Sequence, residues 1–197
     1  MKIRFLGTEI YISFLFMALI CIMLATDRTG LLMPTLFAVL MHENGHLFAM
    51  WLLDCEPKQI RLIPASVQIT APITSKYKND IIIAIIGPLV NLLLFFVLYV
   101  NYLYFKNPLT LNFSLINLLI AIFNLMPVSG LDGGTILFSI IAKKTEYNRA
   151  VLTLKIITLV VAAAVIFLAV TLTIRGKINV SLYIIGIYLV IATVIKM

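Results

Sequence analysis

His42 and His46 stand four residues apart with Glu43 beside the first, in the stretch FAVLMHENGHLFAMWLL (residues 37–53). On a helix, positions i and i+4 lie one above the other on one face. Two imidazoles so placed can hold one Zn²⁺, and the neighbouring carboxylate can reach a water at the metal. Zinc acidifies such a water towards neutrality, so that a nearby carboxylate can take its proton. HExxH thereby supplies two ligands and a general base within five residues.

The surroundings sharpen this reading. The flanking residues are almost wholly apolar, and a carboxylate inside a membrane span costs roughly 2.5–3.5 kcal/mol even on insertion scales. His42 and His46 are also the only histidines in the chain. A hydrolytic zinc site needs a third protein ligand and one open position. With no histidine left, the eight acidic residues are the candidates. Most fall in loops or at the edges of apolar runs. Glu9 lies near Lys2 and Arg4, whereas Asp132 sits inside an apolar run, in NLMPVSGLDGG. Asp132 is the expected third ligand. Cys21 and Cys55 show no CxxC spacing and indicate neither a disulfide framework nor a thiolate site.

The elements that must position these residues are membrane helices. Hydrophobic residues make up 62% of the 197 and charged residues 12%, far from the roughly 45–50% and 25% of soluble domains. Mean hydropathy is +1.12. The expected fold is an all-α polytopic membrane protein with about six transmembrane helices, near 10–26, 31–53, 80–105, 111–142, 151–174 and 180–196. The N-terminal apolar run reads as a retained first span rather than a cleaved signal, being longer than a typical signal core. The fourth run exceeds a simple span, and Pro127, Gly130, Gly133 and Gly134 should break it. Irregular backbone at membrane depth is tolerated only when buried in protein or lining a cavity. Between the second and third spans, IRLI and SVQIT suggest a short β-like segment at the membrane surface, and the stretch fits a hairpin or an irregular connector equally well.

The net charge of +7 comes from basic residues scattered among loops, which argues for topology signals and anionic headgroups rather than nucleic acid. Eleven Lys and Arg fall on one side, and Arg28, Lys106, Arg175 and Lys177 on the other. The positive-inside rule then puts both termini in the cytoplasm. With that orientation, His42, His46 and Asp132 all lie roughly 10–17 Å below the cytoplasmic surface at 1.5 Å per helical residue.

Together these residues resemble the site-2 protease family of intramembrane zinc metalloproteases. HENGH matches its HExxH, NLMPVSGLDGG is similar to its second motif of Asn and Pro ahead of Asp-Gly, and IIGPLVN (residues 85–91) resembles an intervening Gly-Pro-x-x-Asn. The likeness runs from about residue 37 to 142. It implies hydrolysis of peptide bonds in or near a substrate's transmembrane segment, with His42, His46 and Asp132 on Zn²⁺, Glu43 activating water, and Asn124 helping to bind substrate. It also implies that loop backbone in 54–79 holds an unwound substrate as an added strand.

The compact layout, one integral membrane domain over 1–197 with its core at 31–142 and no PDZ or CBS domain, is nearest the sporulation-type branch. That branch implies a bacterial cytoplasmic membrane, an active site opening to the cytosol, a membrane-associated substrate such as a pro-sigma or anti-sigma factor, and a membrane regulatory partner. Many relatives have proline where Gly130 stands, which suggests a looser loop here. Gly87 and Pro88 serve packing or the site on equal terms, and Asn91 is expected to hydrogen-bond between helices near the site. A zinc-binding transporter would need ligands from side to side, and polar ligands occur at one depth only. An inactive scaffold fits poorly with an intact HExxH and Asp-Gly.

Overall fold

A computed structural model describes residues 2–5, 8–55, 57, 59–63, 66–70, 77–176 and 179–195. In chain order the elements are β1 (Lys2–Phe5), β2 (Thr8–Ile12), α1 (Phe14–Thr26), α2 (Leu32–Leu52), β3 (Gln59–Ile63) and β4 (Ser66–Thr70). There follow α3 (Tyr77–Phe105), α4 (Pro108–Asn124), α5 (Asp132–Ala142), α6 (Tyr147–Ile174) and α7 (Val180–Ile195). The chain divides into two compact units, residues 1–122 and 123–197.

The helices are inside out by the standards of a soluble protein. Large apolar side chains such as Phe14, Tyr104, Phe105 and Ile174 are exposed, while His42, His46, Asn91, Ser114, Asn117, Thr158 and Thr193 are buried. Water would penalise that arrangement, and lipid rewards it. α3, at 29 residues, and α6, at 28, are long and apolar enough to cross a bilayer. α2 has 21 residues, with HENGH in its C-terminal half.

In the first unit, four strands form one sheet in the order β1-β2-β3-β4. β1 and β2 pair antiparallel, as do β3 and β4, and β2 joins β3 in parallel from Glu9 opposite Gln59 to Ile12 opposite Leu62. Within the 54–79 stretch, Gln59–Ile63 and Ser66–Thr70 therefore form a hairpin. Pro64 and Pro72, expected to punctuate it, lie outside the described residues, as do Lys58, Lys76, Lys177 and Lys196. The N-terminal hairpin adds two strands, beyond the short β-like segment expected after the second span, to a fold that is otherwise helical. KIRF alternates polar and apolar residues with the period of a strand, TEIYI is rich in β-favouring Thr, Ile and Tyr, and residues 10–12 belong to β2 rather than to a first span. α1 consequently has 13 residues. It ends at Asp27, whose carboxylate accepts from the Thr29 hydroxyl (2.7 Å), the Thr29 amide and the Leu32 amide (3.0 Å) at the start of α2. These bonds, led by the Thr29 hydroxyl, hold the Asp27 carboxyl below its ordinary range. Their contribution is therefore present above about pH 4 and is lost as pH falls through the lowered value.

α2 and α3 approach closely because the residues between them are small. Ala38, Ala49 and Ala84 are buried, and a Cβ on Gly45 would stand 3.0–3.1 Å from Val90, from the Gly87 Cα and from the Ile86 carbonyl. Phe37 of α2 meets Phe113 of α4 edge to face, with centroids 5.8 Å apart.

In the second unit, Val128, Ala162 and Leu189 form a buried core flanked by Met126, Leu131, Val161 and Ile185. Between the end of α4 and the start of α5, residues 125–131 leave the helix for tight turns. The Leu131 amide donates to the Val128 carbonyl at 3.1 Å, and Gly130, third in that turn, has φ +90°. A type II turn demands a positive φ there, which proline at about −65° cannot adopt. Gly130 therefore fixes a defined turn, contrary to the looser loop its substitution suggests. The buried Thr158 of α6 pins the loop: its Oγ1 accepts from the Ser129 amide at 2.9 Å and donates to the Leu154 carbonyl at 2.8 Å. Thr158→Val keeps the shape but strips the Ser129 N–H of this acceptor. The expected loss is about 1 kcal/mol, read as a Tm lowered by about 2–4 °C in detergent. An unchanged Tm would mean that this bond adds nothing to the loop.

Candidate metal centre

The two histidines project from one face of α2 and are both buried. Their rings stand nearly perpendicular, at 89°, with the two Nε2 atoms 3.1 Å apart. Which of those atoms carries a proton follows from what holds the other side of each ring.

His46 Nδ1 lies 2.8 Å from the Ile83 carbonyl. A carbonyl only accepts, so Nδ1 carries the hydrogen and Nε2 of the neutral ring carries a lone pair. His42 Nδ1 lies 2.7 Å from Asn91 Oδ1. The Asn91 amide has one allowed orientation, because its Nδ2 donates to the Ala38 carbonyl at 3.0 Å and to Asn117 Oδ1 at 2.9 Å. His42 Nδ1 is therefore also the donor, and its Nε2 also carries a lone pair.

Two lone pairs face each other across 3.1 Å. They repel unless a proton or a cation lies with them. Two imidazoles on one tetrahedral zinc have their nitrogens roughly 3.3 Å apart, given Zn–N near 2.0–2.1 Å, and metal-bound histidines characteristically donate their other N–H to a carbonyl or carboxamide. The pair thus fits a divalent metal in spacing, tautomer and outer partners.

Glycine makes room for this. A Cβ on Gly87 would overlap the Cε1 and Nε2 atoms of His46, which decides between packing and site for that residue in favour of the site. Asn91, expected only to bond between helices, is the partner that orients His42. Glu43 is partly exposed, about 100° around α2 from His42.

The other expected site residues belong to the second unit. Asp132 is the first residue of α5, half-buried, where the helix dipole favours a carboxylate. It is presented by a chain folded back on itself: a Cβ on Gly133 would overlap the Leu125 carbonyl, and one on Gly134 the Val128 carbonyl. Asn124 is the last residue of α4 and half-buried. The Ile83 carbonyl and Asn117 are contributors that sequence reasoning missed. A carbonyl leaves no trace in a sequence, while Asn117 was legible as a costly amide within an apolar run.

Residues 103–169, which include Asn124 and Asp132, match the model of peptidase family M50. Over that stretch the chain is similar to the peptidase M50 family. A zinc metalloprotease of Methanocaldococcus jannaschii is 29% identical over 160 residues, covering 76% of this chain and 47% of that protein. The chain thus spans about half the length of the curated relative it matches. The structure of a site-2 protease from the same organism superposes with a TM-score of 0.71 at 23% identity, over 98% of this chain and 93% of that one. The fold is accordingly that of a site-2 protease, and the spacing and tautomers of His42 and His46 suit Zn²⁺.

Two substitutions test the centre. Gly87→Ala drives a methyl into the His46 ring, and Asn91→Leu removes the acceptor that fixes the His42 tautomer. Each should weaken zinc binding roughly 10–100-fold, measured by competition with a chromophoric chelator. Wild-type affinity in either variant would contradict the assignment of these partners.

Proposed function

We propose that this chain is an intramembrane zinc metalloprotease that hydrolyses peptide bonds in or near the transmembrane segments of other proteins. The observation that carries this reading is the pair of inward-facing Nε2 lone pairs with Glu43 on the same helix. His42, His46 and Asp132 hold the metal, with Asp132 favoured by the scarcity of other ligands and by the depth expected for it from the sequence. Bound zinc supplies Lewis-acid activation of water and of the scissile carbonyl.

The remaining steps fall to the chain's own groups. The Glu43 carboxylate takes a proton from the attacking water and returns it to the leaving amine, so that no proton is lost to the surrounding lipid. Asn124 donates to the substrate backbone. A substrate helix hides its carbonyls in internal hydrogen bonds and must unwind before the cut. β4, at the edge of the sheet, offers a strand against which the unwound segment can pair.

Six spans with the fourth broken at 125–131 would carry this activity, in a bacterial cytoplasmic membrane with both termini and the active site on the cytosolic side. The whole chain then acts as one membrane metalloprotease domain. Its substrates are membrane-associated regulators such as a pro-sigma or anti-sigma factor, in sporulation-type signalling under a membrane regulatory partner. The excess of Lys and Arg counted on one side supports the cytosolic orientation.

Glu43→Gln should leave zinc at the wild-type ratio while cleavage falls roughly 10²–10⁴-fold. Membrane proteins that accumulate uncut in cells carrying it are the substrates. Continued proteolysis would remove Glu43 from the mechanism. Asp132→Asn should lower zinc content, and an unchanged metal ratio would move the third ligand elsewhere.

A further inference from the structure

Asn91 and Asn117 are completely buried, on α3 and α4, helices that expose many large apolar side chains. Each carboxamide is nearly symmetric in shape, and either could turn over by 180° at little steric cost. Turning Asn91 over would present Nδ2–H to His42 Nδ1. His42 would then have to accept on Nδ1 and carry its hydrogen on Nε2, and a protonated Nε2 cannot bind a metal. The orientation of one amide therefore decides whether His42 is a ligand.

Three hydrogen bonds in series oppose the turned state. Asn117 Nδ2 donates to the Phe113 carbonyl at 2.9 Å, a fixed acceptor one turn earlier on α4. That leaves Asn117 Oδ1 as the atom offered to α3, where it accepts from Asn91 Nδ2 at 2.9 Å. The same Asn91 nitrogen reaches the Ala38 carbonyl of α2 at 3.0 Å. In the turned state, Asn91 Oδ1 would face both oxygens and lose both donors. With no water in the hydrocarbon region to satisfy these groups, unmet polarity is costly.

We infer that Asn117 is a positioning residue for the metal centre: through Asn91 it holds His42 in the tautomer that offers Nε2 to zinc. Neither asparagine touches the metal in this arrangement. Asn91 acts on His42 directly and Asn117 acts on Asn91, so α4 sets the chemistry of a ligand on α2 through a side chain of α3. The inference rests on the metalloprotease reading, and its test separates the two.

Full-length protein is purified in detergent as wild type, Asn117→Leu, Asn117→Asp, Asn91→Leu and the Asn91→Leu/Asn117→Leu double variant. Zinc affinity is measured by chelator competition, and the fold is followed by thermal unfolding. Asn117→Leu should bind zinc roughly 3–10-fold more weakly, below the 10–100-fold typical of a direct partner. Asn117→Asp should restore affinity, because a neutral buried carboxyl keeps the oxygen that Asn91 needs and can donate to Phe113.

In the Asn91→Leu background, Asn117→Leu should cost nothing further, since the link to His42 is already cut. A purely structural role would lower affinity additively in the double variant and leave Asn117→Asp unrescued, and either result overturns the inference. Wild-type affinity in Asn117→Leu also overturns it. A wild-type protein that takes up no zinc would overturn the metalloprotease reading and this inference with it.

Discussion

The facing lone pairs of His42 and His46 are the constraint to which much of the first unit answers. Two imidazole Nε2 atoms 3.1 Å apart need a proton or a cation between them. The surroundings place a hydrogen on each Nδ1 and turn both Nε2 atoms towards one point. The Ile83 carbonyl fixes one ring and the Asn91 carboxamide fixes the other. Gly45 lets the two helices come near enough, and Gly87 leaves room for the His46 ring. Burial makes this effective, because little solvent can compete for the outer hydrogen bonds of His42, His46 and Asn91.

The second unit solves a different problem. A carboxylate must be offered at a helix start in an apolar environment, and the preceding loop must not leave amides unsatisfied. Gly130 turns the chain at positive φ, Gly133 and Gly134 let the loop fold back over α5, and Thr158 takes the Ser129 amide. The requirement here falls on backbone geometry rather than on side-chain chemistry. It explains why so short a stretch carries four glycines and prolines.

HENGH was legible because its information is local: two imidazoles and a carboxylate at helical spacing in an apolar run leave few uses. The same holds for the Asp-Gly segment, whose glycines announce a break. The N-terminal hairpin was less so, since the apolar half of TEIYI runs on into α1 and masks a strand period only nine residues long across its two strands. The roles of Asn91 and Asn117 were not readable from spacing. Each is 26 or more residues from the partner it orients, and an amide's orientation depends on carbonyls such as that of Ala38, which no side chain encodes. The use of the Ile83 carbonyl was invisible for the same reason.

X-ray absorption at the zinc edge of the purified chain tests the central claim most directly. The account predicts one zinc per chain with two imidazole nitrogens near 2.0–2.1 Å, oxygen in the remaining positions and no sulfur. A sulfur scatterer at about 2.3 Å, which would bring in the buried Cys55, or zinc without imidazole ligands, would contradict it.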